Sequence, residues 1–214
     1  MQRLRLTWGR GPDVRFISHL DLTRLWERVF RRAGLPVSYS QGFTPHARIT
    51  IAAPLALGVT SQAELLDVEL DRRIAPAYVA RMVAAQIPAG MDLTSVEEVP
   101  LQWRPLQVAV RTADYRVTAR TTEPAAEIQA RVEALLGADT LPRERLRDRE
   151  VRRYDLRPLV VSVRLAACSE GTATLLMTLQ TDEHATGRPD EVLAALGLDQ
   201  APRWIHRTAL SLGV

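Results

Sequence analysis

At 214 residues the chain is long enough for one large domain or two small ones, each with its own core. Hydrophobic residues at 46% and charged residues at 25% are globular proportions that exclude a disordered chain, and no apolar run approaches the ~20 residues that span a bilayer. The net charge of +3 is mildly basic and neither demands nor excludes a nucleic-acid partner.

All 28 basic residues are Arg, whose planar fork suits oxygen pairs such as phosphate. The single cysteine, Cys168, excludes an internal disulfide and a cysteine-ligated iron–sulfur cluster within the chain. Four scattered His give no paired zinc spacing, so no metal site is expected. The first residues, Met1 to Leu6, alternate polar and apolar and lack the apolar core of a signal peptide, so a cytoplasmic location is expected.

Alternation from Gln2 to Trp8 predicts a strand, followed by turn chemistry at Gly9 to Pro12. A helix is expected from an N-cap at Ser18, with Asp21 near its positive end. Leu22, Leu25, Trp26, Val29 and Ala33 form its apolar stripe, Arg24, Arg28 and Arg31 occupy another face, and Gly34 stops it. Val37 to Tyr39 begins a second strand, bent or bulged over Gln41 to Pro45 and resumed over Arg48 to Ala53. A strand over Glu64 to Leu70, a helix from Pro76 to about Gln86 and a strand over Leu93 to Val99 complete a βαββαβ order.

The second half repeats that order without a residue-level repeat. Leu106 to Arg120 reads as a strand and Pro124 to Leu136 as a helix, while Leu141 to Arg149 is polar and unassigned. Leu159 to Ala167 and Thr172 to Thr181 read as a hairpin around Ser169-Glu170-Gly171. A short helix follows Arg188-Pro189, stopped by Gly197, and Trp204 to Leu212 gives the last strand. The predicted architecture is α+β, with two ferredoxin-like units as a pseudo-repeat: residues 1–100, a linker at 101–105, and 106–214.

Two polar signatures bracket the first helix. Ser18, His19 and Asp21 stand where backbone N–H groups favour an anion, with Arg15 beside them. The alternative is simple helix capping, with His19 bonded to a neighbouring strand. Ser40-Gln41-Gly42-Phe43-Thr44-Pro45-His46 combines a permissive glycine, a flat ring, an amide and an imidazole. The alternative there is a β-bulge at a sheet edge, with Phe43 in the core and Pro45 blocking edge pairing. A third stretch, Arg143 to Arg157, holds seven Arg against four acids, Glu144, Asp148, Glu150 and Asp155. Such a run either touches a nucleic-acid backbone or is a solvated loop or edge strand.

Phe16 to Asp21, Ser40 to His46, Asp155-Leu156-Arg157-Pro158, Arg188-Pro189 and Ile205 to Thr208 together resemble the radical SAM-associated proteins. These are uncharacterised bacterial proteins found beside, or fused C-terminally to, a radical SAM protein. The resemblance departs at Ala209, where the family pattern has Gly. It implies a radical SAM partner that carries the iron–sulfur cluster and S-adenosylmethionine. It also makes both signatures a binding surface: Arg15, Ser18, His19, Asp21, Ser40, Gln41, Gly42, Phe43, Pro45 and His46.

Three functions follow from these readings. The first is an accessory module that presents a substrate, with tRNA or rRNA as the candidate, and has no independent catalytic activity. Arg24, Arg28, Arg31, Asp155, Arg157 and Arg207 would then contact phosphate or partner. Asp155 has a structural alternative, pairing with Arg157 or Arg207. The second is a metal-independent endoribonuclease using His19 or His46 as general acid–base, although the glycine-rich C-terminal loop of the CRISPR repeat-processing enzymes is missing. The third is a non-catalytic docking or regulatory domain whose Arg face meets an acidic protein surface.

Overall fold

A computed structural model describes residues 1–147, 150–169, 171–182, 185–200 and 203–213. Asp148 of the Arg-rich run and Glu170 of the expected hairpin turn lie outside the described residues, as does the side chain of Glu150. The protein is α+β, with mostly antiparallel sheet and five α-helices among the described residues. None of those helices is long and apolar enough to cross a membrane. The chain divides into two compact units, residues 1–110 with 212–214, and residues 111–211.

The first unit contains β1 (Gln2–Arg10), α1 (His19–Arg32), β2 (Ile49–Ile51), β3 (Thr60–Leu70), α2 (Pro76–Ala84) and β4 (Met91–Val99). Its strands run β4-β1-β3, with β2 on the far side of β3, and every pairing is antiparallel. Alternation sorts β1: Leu4, Leu6 and Trp8 are wholly buried, and Arg3 and Arg5 take the opposite face. Trp8 meets Trp26 of α1 edge-on at 5.4 Å, and Trp26 stacks on Phe30 at the same spacing. Leu22, Val29, Val79 and Val83 close this core from the two helices.

Local chemistry sets the ends of α1. Ser18 Oγ accepts the Asp21 N–H at 3.2 Å, satisfying a donor that the first turn leaves free. After Ala33 the chain turns at Gly34, φ +67°, and Leu35 N returns to Phe30 O at 3.1 Å. The expected stripe needs one exchange: Phe30 lies in the core, whereas Leu25 is only partly buried.

The second unit contains β5 (Val110–Arg120), α4 (Ala125–Gly137), β6 (Pro142–Arg147), β7 (Glu150–Asp155), β8 (Val160–Ser169), β9 (Thr172–Gln180), α5 (Pro189–Ala195) and β10 (Arg203–Leu212). Its main strands run β10-β5-β9-β8. A separate core gathers Val117, Leu175 and Leu179 from the sheet with Ile128, Val132 and Val192 from the helices.

Three expected elements change. The second strand shrinks to β2, and Val37 and Tyr39 make only single bridges, to Leu70 and Ala47. The strand expected from Leu106 starts later, because α3 (Leu106–Ala109) intervenes: Val108 and Ala109 both donate to Pro105 O, closing one helical turn. The polar stretch after Leu141 forms the β6–β7 hairpin, which among the described residues makes a two-stranded sheet of its own. Glu144 lies opposite Arg153 in that hairpin and accepts from its Nε at 2.8 Å, an opposite-charge cross-strand pair.

Candidate binding surface

Arg10 organises the first signature. It continues the inward series Leu4, Leu6, Trp8 and is only 2% exposed. A guanidinium there must spend its donors on protein groups. It donates from Nε to Val14 O at 3.1 Å and from Nη2 to Arg15 O at 2.9 Å and Ile17 O at 2.6 Å. Three carbonyls of the segment leading into α1 are thereby held by one buried side chain. Gly58 N adds a bond to Arg15 O at 2.9 Å from the other side.

Beyond that anchor the signature faces outward. Arg15 lies over the exposed Phe16 ring at 4.9 Å, and His19, Leu20 and Asp21 are exposed. Ser18 Oγ also donates to Asp21 Oδ2 at 2.7 Å, and Asp21 pairs with Arg24 at 3.5 Å. Ser18 and Asp21 therefore work as a cap. An exposed pair of this kind adds little to stability.

The second signature is a loop with a closed base. Tyr39 bridges Ala47, Ser40 N donates to His46 O at 2.9 Å, and His46 N donates to Ser40 Oγ at 3.0 Å. Arg48 N donates to Ser38 O at 2.8 Å. From Gln41 to His46 every residue is exposed. Phe43 is fully exposed and does not enter the core, so its ring is available to a binding partner. Gly42 has φ +132°, and an added Cβ would meet nothing within 4 Å. Conformation alone, and no close packing, calls for glycine here.

The Arg face and this loop adjoin. A cavity of about 280 Å³ is lined by Glu27 and Arg31 of α1, by Leu35 and Val37, and by Tyr39 and Ala47 at the loop base. Arg24 and Arg28 are exposed on the same helix. No described hydrogen bond joins the side chains of His19 and His46. Among the described residues, no group of three or more His, Cys, Asp or Glu is placed to hold a metal ion.

Asp155 and Arg157 work inside the second unit. Asp155 Oδ1 accepts the backbone N–H of Leu141 at 2.7 Å and of Arg157 at 2.9 Å. The Arg157 guanidinium donates to Leu136 O and Val160 O at 2.9 Å and to Ala138 O at 3.2 Å. It thus serves the free carbonyls at the end of α4. Arg207 is buried in β10 at 1% exposure. Next to it, burial and then the Arg116 charge hold the His206 imidazole below its ordinary pKa. Ala209 lies within β10 with an ordinary backbone, so no glycine conformation is needed there.

Arg10 and Tyr39 were not singled out by sequence as parts of this surface. A signal existed for Arg10, since strand alternation from Leu4 places it on the apolar face. Sheet aromatics of the RNA-recognition kind are absent from the outer face of β1 and β3 in the first unit. That face carries Arg3 and Arg5, paired in register with Glu69 and Asp67.

A family profile described as an uncharacterised protein conserved in bacteria (DUF2344) matches residues 3–189. No curated protein matches the chain. Solved structures similar to it include a Cbf5–Nop10–Gar1 complex, at 10% identity and TM-score 0.48, covering 99% of this chain and 48% of that one. They also include an archaeal box H/ACA sRNP Nop10–Cbf5 complex, at 9% identity and TM-score 0.45, covering 98% and 46%. The first two RRM domains of yeast poly(U) binding protein (Pub1) match at 10% identity and TM-score 0.24, covering 95% and 98%. The chain thus spans about half the length of the first two. TM-scores below 0.5 fix neither its fold nor its function.

Proposed function

We propose that this chain, which belongs to the DUF2344 family of uncharacterised proteins conserved in bacteria, is an accessory module that presents a substrate to a radical SAM partner. The substrate class is structured RNA, a tRNA or rRNA. The partner supplies the iron–sulfur cluster and S-adenosylmethionine, and this chain supplies binding and orientation in the cytoplasm. Each of the two compact units, residues 1–110 with 212–214 and residues 111–211, is read as ferredoxin-like. The βαββαβ order, interrupted in the second unit by the β6–β7 hairpin, and the 4-1-3-2 order of the main strands in each support that reading.

One observation carries the RNA assignment. Arg31 and the half-exposed Tyr39 line a single cavity at the base of the loop that holds Phe43 clear of the protein. Exposed rings beside Arg side chains suit unpaired bases and their phosphates, since rings stack and Arg binds oxygen pairs. The closed loop base reduces the ordering cost of presenting Phe43.

The test is recovery of tagged protein from its native cells, with bound RNA and bound protein both identified. Specific RNA should be enriched together with a radical SAM protein, and Phe43→Ala or His46→Ala should reduce the RNA. Failure to retain RNA at low salt, alone and with the partner, would overturn the RNA assignment. A radical SAM protein recovered without RNA, and lost on reversing the charges of Arg24, Arg28 and Arg31, would make the helix face a docking surface instead.

A further inference from the structure

We propose a second site in the first unit, outside both signatures: the cavity beside Trp103 takes a nucleobase that carries a ring carbonyl. It has a volume of about 440 Å³, within the ~300–1,000 Å³ usual for small-molecule sites. Arg5, Trp103, Arg104, Ala109 and Leu212 give it its chemistry.

Arg5 is the polar anchor. It is 8% exposed, with Nε donating to Asp67 Oδ1 at 2.8 Å and Nη2 to Oδ2 at 2.9 Å. Its third nitrogen, Nη1, has no partner among the described residues. Asp67 already neutralises the guanidinium, so the remaining donors favour a neutral carbonyl over a second carboxylate. The Arg5 guanidinium carbon stands 5.9 Å from the centre of the Trp103 ring, which is itself 52% exposed. A planar group could stack on that ring with its edge toward Nη1, between the apolar walls of Ala109 and Leu212. Arg104 is exposed on the lining and makes no ion pair among the described residues, which leaves it for a phosphate. A flat ring, a carbonyl edge and a nearby phosphate describe a uracil, cytosine or guanine nucleotide. Adenine has no ring carbonyl and fits the anchor poorly.

The proposal is independent of the signature surface. Calorimetric titration of the intact protein with UMP, GMP and AMP tests it. UMP and GMP should bind saturably, and AMP about tenfold more weakly for want of the acceptor. Trp103→Ala should cost about tenfold or more in UMP affinity, and Trp103→Tyr, which keeps a stacking face and guards against a folding artefact, should retain most of it. Arg104→Gln should weaken UMP several-fold, and Phe43→Ala, which lies outside this cavity, should leave UMP affinity as it is. Tighter binding of pentauridylate than of UMP would identify a base within a strand, and equal or weaker binding a free nucleotide. No saturable binding at millimolar nucleotide would overturn the proposal. So would AMP binding as tightly as UMP, or UMP affinity that survives Trp103→Ala. Loss of RNA capture by the Phe43 variant with UMP binding intact would leave this site standing apart from the presentation surface.

Discussion

Replacing Arg10 with Met keeps a long apolar stem in the core and removes the donors that hold the segment before α1. The cost follows from what each carbonyl retains. Val14 O still accepts Ile17 N at 3.2 Å, and Arg15 O still accepts Gly58 N at 2.9 Å. Ile17 O loses its bond of 2.6 Å, the shortest of the three that Arg10 makes. Bonds to a charged group contribute about 1.5–3 kcal/mol each, and less where the acceptor keeps another partner. These three bonds together are worth about 2–4 kcal/mol to this segment. Native-state hydrogen exchange, read on peptides covering 12–22 and 56–60, measures it directly. Opening there should become easier by that amount in Arg10→Met, and Arg10→Lys should recover part of it. If exchange over these peptides stays within about 0.5 kcal/mol of wild type, Arg10 does not hold the signature and its burial needs another explanation.

Arg157→Ala should destabilise the second unit by about 2–4 kcal/mol in denaturant unfolding, because three carbonyls lose a charged donor. Asp155→Asn should cost less, since its amide oxygen can still accept the Leu141 and Arg157 N–H groups. His206 has its pKa lowered below 6.5 in the folded protein, so the unfolded chain takes up the extra proton first. The stability that neutral His206 contributes is complete above about pH 6.5 and is lost as pH falls through the folded value. Unfolding free energies in mild acid should therefore depend less steeply on pH in His206→Gln, and the Arg116→Gln slope should lie between that and wild type. Phe43→Ser should leave stability within about 0.5 kcal/mol in a thermal melt, because the ring covers nothing. Gly42→Val should cost about 1 kcal/mol or more, because φ +132° is hostile to a branched side chain.

The parts of the fold legible in sequence were those fixed by neighbours along the chain. Ser18 and Gly34 bound α1 because a hydroxyl and a missing Cβ satisfy the free backbone groups within one turn. β1 shows in the alternation of Leu4, Leu6 and Trp8. The β6–β7 hairpin did not show, because Arg and Glu alternate there without an apolar face, and pairing is decided across the turn. β2 shrank because its length depends on β3, which is distant in sequence. Phe43 stood open between core and surface, since ring chemistry permits both and only tertiary packing chooses. Trp103 lay in what reads as a linker. Its significance depends on the β1–β3 register that sets Arg5 against Asp67, a relation between strands that no local motif encodes.

The loop from Ser40 to His46 separates two jobs that most protein segments must share. Its base is tied by backbone bonds and one serine hydroxyl, while Gln41, Phe43, Thr44 and Pro45 lie exposed beyond those ties. The fold therefore places almost no restriction on which side chains those four positions carry. Related chains are free to drift there, or to exchange the tip for another of similar length, at little cost to folding. Any position of the tip that nevertheless resists change is being held by what it touches outside the molecule. The substitution record of this short segment is thus a readout of the partner's chemistry.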